Sequence, residues 1–415
     1  MRIHNRWFQL VCSLIAMIMI ANFQYAWTLF VEPMRQGTGW KLSDIQYAFT
    51  LFILFQTWVQ PAQGFLIDRL GPRIFATLAG ILCGIGWAGL GYATSLPMLY
   101  VLYVTAGIGA ALIYGGCMGS ALKWFPKEER GLAAGLTAAG FGGGAALFIP
   151  FIASMIKSSG YQSAFVSTGI FQGAMIVVVA QFLRHPPVEA TTKPARARAS
   201  SSALGQHQFG TMEMLRTPQF YVLYAMFVMM ATGGLLVTAN AGPIAKSWGI
   251  PAAALALATS FNAIANGTSR FFWGWVSDRT GRELAMGIAF TLQAVCLLGV
   301  LTLGRLSGTW FTITLVATFF TWGEVFSLFP SLTADYFGTK CATANYGVMY
   351  SAKGVASIIG AGVGTLLYEA FGTWNADLYG SAALAAVAAI IAFGLRAQKS
   401  RVTVAAPMPI PATAK

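Results

Sequence analysis

Two short stretches of this chain repeat each other. Residues 64–73 read Gly-Phe-Leu-Ile-Asp-Arg-Leu-Gly-Pro-Arg, and residues 274–282 read Gly-Trp-Val-Ser-Asp-Arg-Thr-Gly-Arg, at a constant offset of 210 residues. The first glycine of such a stretch allows close helix approach, the aspartate can pair with an arginine, and the second glycine permits a tight turn. The repeat therefore indicates two similar halves, each carrying one charged turn.

The composition around these turns excludes a water-soluble globule. Of 415 residues, 56% are hydrophobic and only 9% are charged, whereas a soluble domain carries about 25% charged residues. Apolar runs of roughly 20 residues recur, each long enough to cross about 30 Å of hydrocarbon as a helix. The sequence predicts an all-α membrane protein with twelve spans, at 7–30, 44–67, 74–94, 97–122, 131–156, 161–183, 218–241, 252–276, 284–304, 308–333, 345–368 and 374–395.

One polar segment divides the predicted spans into two groups of six. Its Pro, Arg, Lys and Ser residues cannot form a core, so it is predicted to be a flexible tether with a short helix near Glu213. The first span is too long for a signal-peptide core and is expected to be retained. The predicted units are an N-terminal six-helix bundle at 1–183, a cytoplasmic linker at 184–217, a C-terminal six-helix bundle at 218–396 and a disordered cytoplasmic tail at 397–415.

The net charge of +13 is explained by topology. Of the 26 Lys and Arg residues, 19 fall on the side of the two termini and the linker, and 5 fall on the opposite side. Because positive charge stays inside, the termini and linker are predicted to be cytoplasmic. We expect the lipid bilayer as a partner, no nucleic acid, and a monomer.

Motifs for enzymes and cofactors are absent from the sequence. It contains no G-x-x-x-x-G-K-[ST] nucleotide motif, no C-x-x-C pair and no evident activated nucleophile. We therefore expect no enzymatic activity, no metal and no cofactor. The glycine run 142–144 lies in an apolar span, where it favours close helix packing.

Three ionisable residues fall well inside predicted spans: Arg270, Glu324 and Lys353. Such groups are costly in hydrocarbon and generally face a cavity, a partner or a pathway. At about 1.5 Å per residue, both cations lie roughly 12 to 13 Å deep. Glu324 could form a structural bridge with one of them, but it cannot neutralise both, so the charge count favours an anion-binding cavity.

The residue types suggest which anion would fit. An arginine fork and a lysine charge could hold the two ends of a small dicarboxylate, although phosphate or sulfate would also satisfy the charge. Trp322 and Phe326 share a helix face and favour a flat organic anion, whereas Glu324 points about 200° away from each. Polar side chains at mid-membrane in the first half could orient a carboxylate or bond between helices: Gln24, Tyr25, Gln56, Gln60 and Tyr114.

The charged turns resemble the major facilitator superfamily, whose signature G-x-L-x-D-R-x-G-x-R is matched at every specified position by residues 64–73. The resemblance covers essentially the whole chain. It implies two six-helix bundles that rock about a central site. The turn residues expected to serve that movement are Gly64, Asp68, Arg69, Gly71, Arg73, Gly274, Asp278, Arg279 and Gly281.

More specific stretches resemble the bacterial oxalate/formate antiporter family. These are Asn-Phe-Gln-Tyr-Ala-Trp-Thr-Leu at 22–29, Arg-Phe-Phe-Trp-Gly at 270–274, Phe-Thr-Trp-Gly at 320–323 and Ser-Ala-Lys at 351–353, with Met-Leu-Arg-Thr-Pro-Gln-Phe at 214–220. The resemblance implies that Arg270 and Lys353 grip the anion. It also implies that the pocket is lined by Gln24, Tyr25, Tyr114 and Trp322.

Two positions depart from that family. Phe326 stands where its characterised member has tyrosine, and Glu324 stands where that member has glycine. Losing the phenol removes a hydrogen bond to substrate, and the added carboxylate weakens the positive field or adds a protonation step. Both changes are compatible with a related small carboxylate such as formate, lactate or pyruvate.

Three functions follow as hypotheses. The first is exchange of oxalate for formate by alternating access, with the anion neutralising Arg270 and Lys353. The second is proton-coupled symport of a monocarboxylate, with Glu324 as the titrating group. The third is a sensor that binds an anion without moving it, which the short linker and tail disfavour.

Overall fold

The computed structural model describes residues 5–125, 130–184, 208–338 and 341–405, without the side chains of 61–69, 121–123, 130–132, 134, 342–343 and 399–405. Across these ranges the regular secondary structure is helical and includes no strand. The predicted all-α fold is therefore confirmed. The predicted linker lies largely outside the described residues, and the domain boundaries stay predictions. The prediction of a disordered tail from residue 397 is wrong for its first part, because the last helix, Asn375–Ala405, continues through it. Residues 406–415 lie outside the described residues.

Seven helices form the first half. They are α1 (Arg6–Tyr25), α2 (Trp27–Thr38), α3 (Leu42–Trp58), α4 (Gln60–Gly89), α5 (Leu96–Trp124), α6 (Arg130–Gly143) and α7 (Ile149–Ala180). Short 3₁₀ turns at Leu90–Tyr92 and Gly144–Leu147 follow α4 and α6.

A short helix, α8 (Thr211–Met214), precedes the second half. It contains Glu213, so the predicted helix near this residue is present. The longer helices that follow are α9 (Pro218–Ser247), α10 (Ala252–Thr280), α11 (Arg282–Thr302), α12 (Gly308–Trp322), α13 (Val325–Phe337), α14 (Ala342–Tyr350), α15 (Ala352–Ser357), α16 (Gly364–Phe371) and α17 (Asn375–Ala405), with a π-helix at Ile358–Val363 between α15 and α16.

Two of the long helices are broken at a glycine. Gly71 in α4 has φ +71° and ψ +159°, and Gly160 in α7 has φ +83° and ψ +162°. Residues with a Cβ rarely adopt such backbone angles, so glycine suits each break. Each break separates two predicted spans, at 44–67 and 74–94 for α4 and at 131–156 and 161–183 for α7.

Nine helical stretches among the described residues are long and apolar enough to cross a membrane. One of them, Gly135–Ala180, runs through the break at Gly160 and includes two predicted spans. The predicted spans at 44–67 and 252–276 are not among the nine. In the second of these, α10 buries Asn262, Asn266 and Arg270, which lower its hydropathy. Membrane-spanning helices are thus confirmed, and the count of twelve stays a prediction.

The two halves meet along several helix pairs. Lys246 of α9 forms an ion pair with Glu32 of α2. The backbone N–H of Ser43 in α3 donates to Oε1 of Glu369 in α16 at 2.8 Å. Closer to the centre, Nε2 of Gln46 donates to the carbonyl oxygen of Ala239 at 2.8 Å. These bonds join the two halves near the end of α2, the start of α3 and the ends of α9 and α16.

The first charged turn is described in part. Gly64, Asp68 and Arg69 lie outside the residues whose side chains are described. Gly71 provides the expected tight turn, and Nε of Arg73 donates to Oε1 of Gln181, just after α7, at 2.7 Å.

The second charged turn shows the expected pairing. Asp278 accepts from Arg282 at 2.6 Å, Gly281 has φ +92°, and the guanidinium carbon of Arg279 lies 3.9 Å from the ring centroid of Trp275. A Cβ at Gly274 would meet no described atom within 4 Å. Close helix approach at this glycine therefore stays a prediction.

Candidate functional site

Lys353 lies at the centre of the molecule and is completely buried. Its ammonium donates to Oε1 of Gln24 in α1 and to Oε1 of Gln56 in α3, both at 2.8 Å, and to the phenol oxygen of Tyr350 at 3.4 Å. All three acceptors are neutral. A cation of the second half is therefore held by amide oxygens of the first half.

Arg270 is the second buried cation, 4% exposed. Its Nη1 donates to the carbonyl oxygen of Ala138 in α6 at 3.0 Å, and its Nη2 donates to Oδ1 of Asn266 at 3.0 Å. The same Oδ1 accepts from the phenol of Tyr25 at 3.4 Å. Arg270 thus also contacts the first half through neutral acceptors.

Phe326 contacts both cations. Its ring centroid is 4.8 Å from the guanidinium carbon of Arg270 and 5.6 Å from Nζ of Lys353. The negative face of an aromatic ring attracts cations, particularly where water is excluded. One apolar ring therefore joins the two charges in a single site.

The surrounding aromatic rings complete the wall. Tyr114 stacks on Tyr350 with ring centroids 5.8 Å apart, and Phe141 lies 5.4 Å from both Tyr25 and Tyr114. The predicted proximity of Trp322 to Phe326 is confirmed at 5.3 Å. This indole packs against Gly234 of α9, where an added Cβ would lie 2.1 Å from it. Trp322 therefore packs behind Phe326, between the aromatic wall of the site and α9 of the second half.

Interruptions of the helices position these side chains. α1 ends at Tyr25 and α2 begins at Trp27, α12 ends at Trp322 and α13 begins at Val325, and α14 ends at Tyr350 just before α15. The backbone N–H groups at these interruptions still find acceptors, as Ala26 does at Asn22 and Gly323 at Phe319. The interruptions thus place Tyr25, Trp322 and Tyr350 at helix ends around the site.

Glu324 is completely buried but belongs to a different environment. Neither of its carboxylate oxygens has a hydrogen-bond partner, and it forms no ion pair with either buried cation. Just before it in the chain, Gly323 packs against α10, and Thr321 donates a hydrogen bond to Gln293 of α11. A structural bridge from Glu324 to Arg270 or Lys353 is therefore not formed.

The site is rich in donors that lack acceptors. Neither Arg270 nor Lys353 forms a salt bridge with a described carboxylate. Buried polar atoms without a partner are uncommon in proteins and call for a physical reason. Four nitrogen atoms of this kind belong to the groups that hold the cations: Gln24 Nε2, Gln56 Nε2, Asn266 Nδ2 and Arg270 Nε.

The structure thus brings together Gln24, Tyr25, Tyr114, Arg270, Trp322, Phe326 and Lys353, and it separates Glu324 from them. Sequence reasoning noted Gln56 only as a polar residue and missed Asn266, Tyr350 and Phe141. Two of these could have been found by helical spacing, because Asn266 lies four residues before Arg270 and Tyr350 lies three before Lys353. Phe141 carries no such signal.

Comparison with known proteins agrees with this architecture. The profile of the Major Facilitator Superfamily matches residues 12–241 and 222–411. The Oxalate:formate antiporter of Oxalobacter formigenes is 40% identical over 391 residues, covering 94% of this chain and 90% of that protein. The chain belongs to the Major Facilitator Superfamily, in the oxalate/formate antiporter family. It is a membrane transporter and not an enzyme.

More distant matches support the same fold. Monocarboxylate transporter 11 of Homo sapiens is 26% identical over 238 residues, covering 57% of this chain and 48% of that protein. A solved bacterial homologue of the human lysosomal transporter Spinster, in an inward-facing and unoccupied conformation, superposes with a TM-score of 0.66 at 16% identity. It covers 96% of this chain and 98% of its own. The superposition extends the facilitator fold over nearly the whole chain.

Proposed function

We propose that this protein exchanges oxalate for formate across the membrane by alternating access. The observation that carries the proposal is the pair of buried cations, Arg270 and Lys353, without a carboxylate to neutralise them. An uncompensated buried cation is expensive, so an anion that visits the site lowers its free energy. The similarity to the Oxalobacter formigenes protein supports oxalate and formate as the anions.

The arrangement suits a flat dicarboxylate. One carboxylate would accept from the guanidinium of Arg270 and the other from the ammonium of Lys353, beside the ring of Phe326 that contacts both cations. Nε2 of Gln24 and Nε2 of Gln56 are donors without partners beside the lysine. They would complete the hydrogen bonding of the second carboxylate.

Both bundles hold the cations, which links binding to movement. Lys353 bonds to α1 and α3, and Arg270 bonds to α6, although both cations belong to the second half. A substrate that neutralises the pair stabilises the closed arrangement by its differential contacts with that state. Exchange of a dianion for a monoanion also moves charge, so membrane potential contributes about 2.3 kcal/mol per charge per 100 mV.

We place the protein in a bacterial inner membrane, with both termini and the linker in the cytoplasm and one chain as the working unit. The excess of Lys and Arg on one side of the predicted spans supports this orientation. The turn residues Arg73, Asp278 and Arg279 then lie at the cytoplasmic ends of their helices. There they would serve the rocking movement.

Uptake into vesicles tests the proposal. Proteoliposomes preloaded with formate should accumulate labelled oxalate, and Arg270→Ala or Lys353→Ala should abolish uptake. Lys157→Ala, at an exposed position, is the matched control and should transport normally. Size-exclusion profiles in detergent show whether each variant folds. Normal exchange by both charge variants would show that Arg270 and Lys353 do not bind the transported anion.

Glu324 favours a second candidate, proton-coupled symport of a monocarboxylate. A completely buried carboxyl with no hydrogen-bond partner and no cation is stable only when it carries a proton. If it releases that proton in another conformation, proton movement accompanies transport. Labelled formate or lactate uptake driven by an inward proton gradient and lost in Glu324→Gln supports symport. Uptake indifferent to the gradient, in wild type and variant alike, rejects it.

A further inference from the structure

Helix α6 approaches Arg270 with bare backbone. The carbonyl oxygen of Ala138 accepts from Nη1 at 3.0 Å, and one turn later Gly142 lies against the same guanidinium. A Cβ at Gly142 would lie 2.9 Å from Oδ1 of Asn266 and 3.1 Å from Nε of Arg270. Any side chain larger than hydrogen would therefore displace α6, Asn266 or the guanidinium.

The next glycine behaves differently. A Cβ at Gly143 would meet only the carbonyl oxygen of Ala263 at 3.7 Å and Cα of Gly267 at 4.0 Å, which are ordinary contacts. The glycine run 142–144 does provide close packing, as expected from sequence. Of Gly142 and Gly143, only Gly142 packs tightly against the guanidinium of Arg270.

Asn266 connects the guanidinium to both halves. It is completely buried on α10, and its Oδ1 accepts from Arg270 of its own helix and from Tyr25 of α1. Its Nδ2 has no partner. The orientation of the arginine fork therefore depends on an amide that is itself held by the opposite half.

We propose that Asn266 and Gly142 are positioning residues for Arg270, which together hold its guanidinium in the carboxylate-binding orientation only while the two halves are closed. Asn266 orients the guanidinium by accepting its hydrogen bond, and the missing side chain of Gly142 allows the backbone of α6 to pack against the guanidinium. This inference deepens the proposed function and rests on it. It assigns substrate selectivity to Asn266 and closure to Gly142.

The roles of Asn266 and Gly142 should affect different kinetic constants, the KM for oxalate and the maximal exchange rate. Loss of Asn266 removes one bond that orients the fork, so the KM for oxalate rises about tenfold. Formate has one carboxylate, which Lys353 can hold alone, so its KM changes by less than about twofold. A methyl group at Gly142 opposes closure itself, so the maximal exchange rate falls for both anions.

The first experiment compares Gly142→Ala with Gly143→Ala in proteoliposomes. Both add one methyl group to neighbouring positions of the same helix, so effects on helix propensity are matched. The maximal rate should fall about tenfold or more only in Gly142→Ala. Equal rates in the two variants would overturn the role of Gly142.

The second experiment compares Asn266→Leu with Asn262→Leu. Asn262 lies one turn earlier on α10, is 3% exposed, and has no hydrogen bond at either side-chain atom, so its replacement loses none. The KM for oxalate should rise relative to that for formate only in Asn266→Leu. Equal rises for the two anions, or none, would overturn the role of Asn266.

A third variant separates positioning from scaffolding. Asn266→Ser keeps a polar side chain that is too short to accept from Nη2 of Arg270. Positioning predicts that oxalate stabilises this variant less than it stabilises wild type while formate stabilises both equally, whereas a purely structural role predicts the same loss for both anions. Thermal stabilisation of the purified full-length protein by oxalate and by formate provides this readout without transport.

Failure of the proposed function has a different signature. If wild type neither transports nor is stabilised by oxalate or formate, the proposed substrates are wrong. If wild type responds to them and the variants respond just as wild type does, the positioning role is wrong and the substrates stand.

Discussion

Replacing Lys353 by methionine removes one of the two buried charges while keeping the length of the side chain. The ammonium is completely buried and is held by Gln24, Gln56 and Tyr350, all neutral acceptors. A carboxylate bound about 4 Å from it gains about 4 kcal/mol at an effective dielectric constant of about 20. Loss of that energy corresponds to about a thousandfold weaker binding.

The effect on folding should have the opposite sign or be absent. Taking a cation out of water costs several kcal/mol, and here no carboxylate offsets that cost. Methionine needs no hydrogen bonds, and it fills irregular space well. We therefore expect Lys353→Met to bind oxalate about a thousandfold more weakly while its melting temperature in detergent stays equal or rises.

Binding and uptake are measured on the same preparations. Oxalate concentration is varied in formate-loaded proteoliposomes and in thermal-shift assays of the purified protein, with Lys157→Met as the exposed control. An oxalate affinity within about tenfold of wild type would refute direct charge pairing, because that change is worth only about 1.4 kcal/mol. A collapse in melting temperature would instead show that Lys353 stabilises the fold.

Three further predictions concern the wall, its backing and the outer contact between the halves. Phe326→Tyr adds a hydroxyl to the ring that contacts both cations. It should lower the KM for oxalate about fivefold, the value of one added hydrogen bond, measured by uptake. Gly234→Ala drives a methyl group into the Trp322 indole and should destabilise the fold by about 1–3 kcal/mol in thermal unfolding, whereas Gly394→Ala, which meets no atom within 4 Å, should not. Lys246→Gln breaks the ion pair with Glu32; since that lysine is half exposed, the exchange rate should change less than about fivefold, and the difference should vanish at high salt.

Much of the site was accessible from the sequence because hydrocarbon makes buried charge rare. Arg270 and Lys353 stood out in apolar spans, and the helical rise placed them at one depth. The side chains that hold them carry no comparable signal. Gln56 resembles any other polar residue of a span, and the carbonyl of Ala138 belongs to the backbone, which every residue has.

The charge of Glu324 shows where sequence reasoning reached its limit. With one acid and two cations at mid-membrane, the sequence also allowed a structural salt bridge between Glu324 and either cation. Helical spacing predicted that Glu324 points away from Trp322 and Phe326, but it could not say what the carboxylate would meet. That depends on how α12 and α13 pack against α10 and α11, and the structure leaves both oxygens without a partner.

The sequence by itself determined the class of protein and singled out its two buried cations, and it predicted two related halves. These properties follow from composition and from periodicity along one helix, which are local. Only the tertiary structure decided that Lys353 meets Gln24 and Gln56 and that Arg270 meets the backbone of α6. Those partners lie more than one hundred residues away in the sequence. Their contact depends on how the two bundles dock, which is a collective result of packing that no single segment encodes.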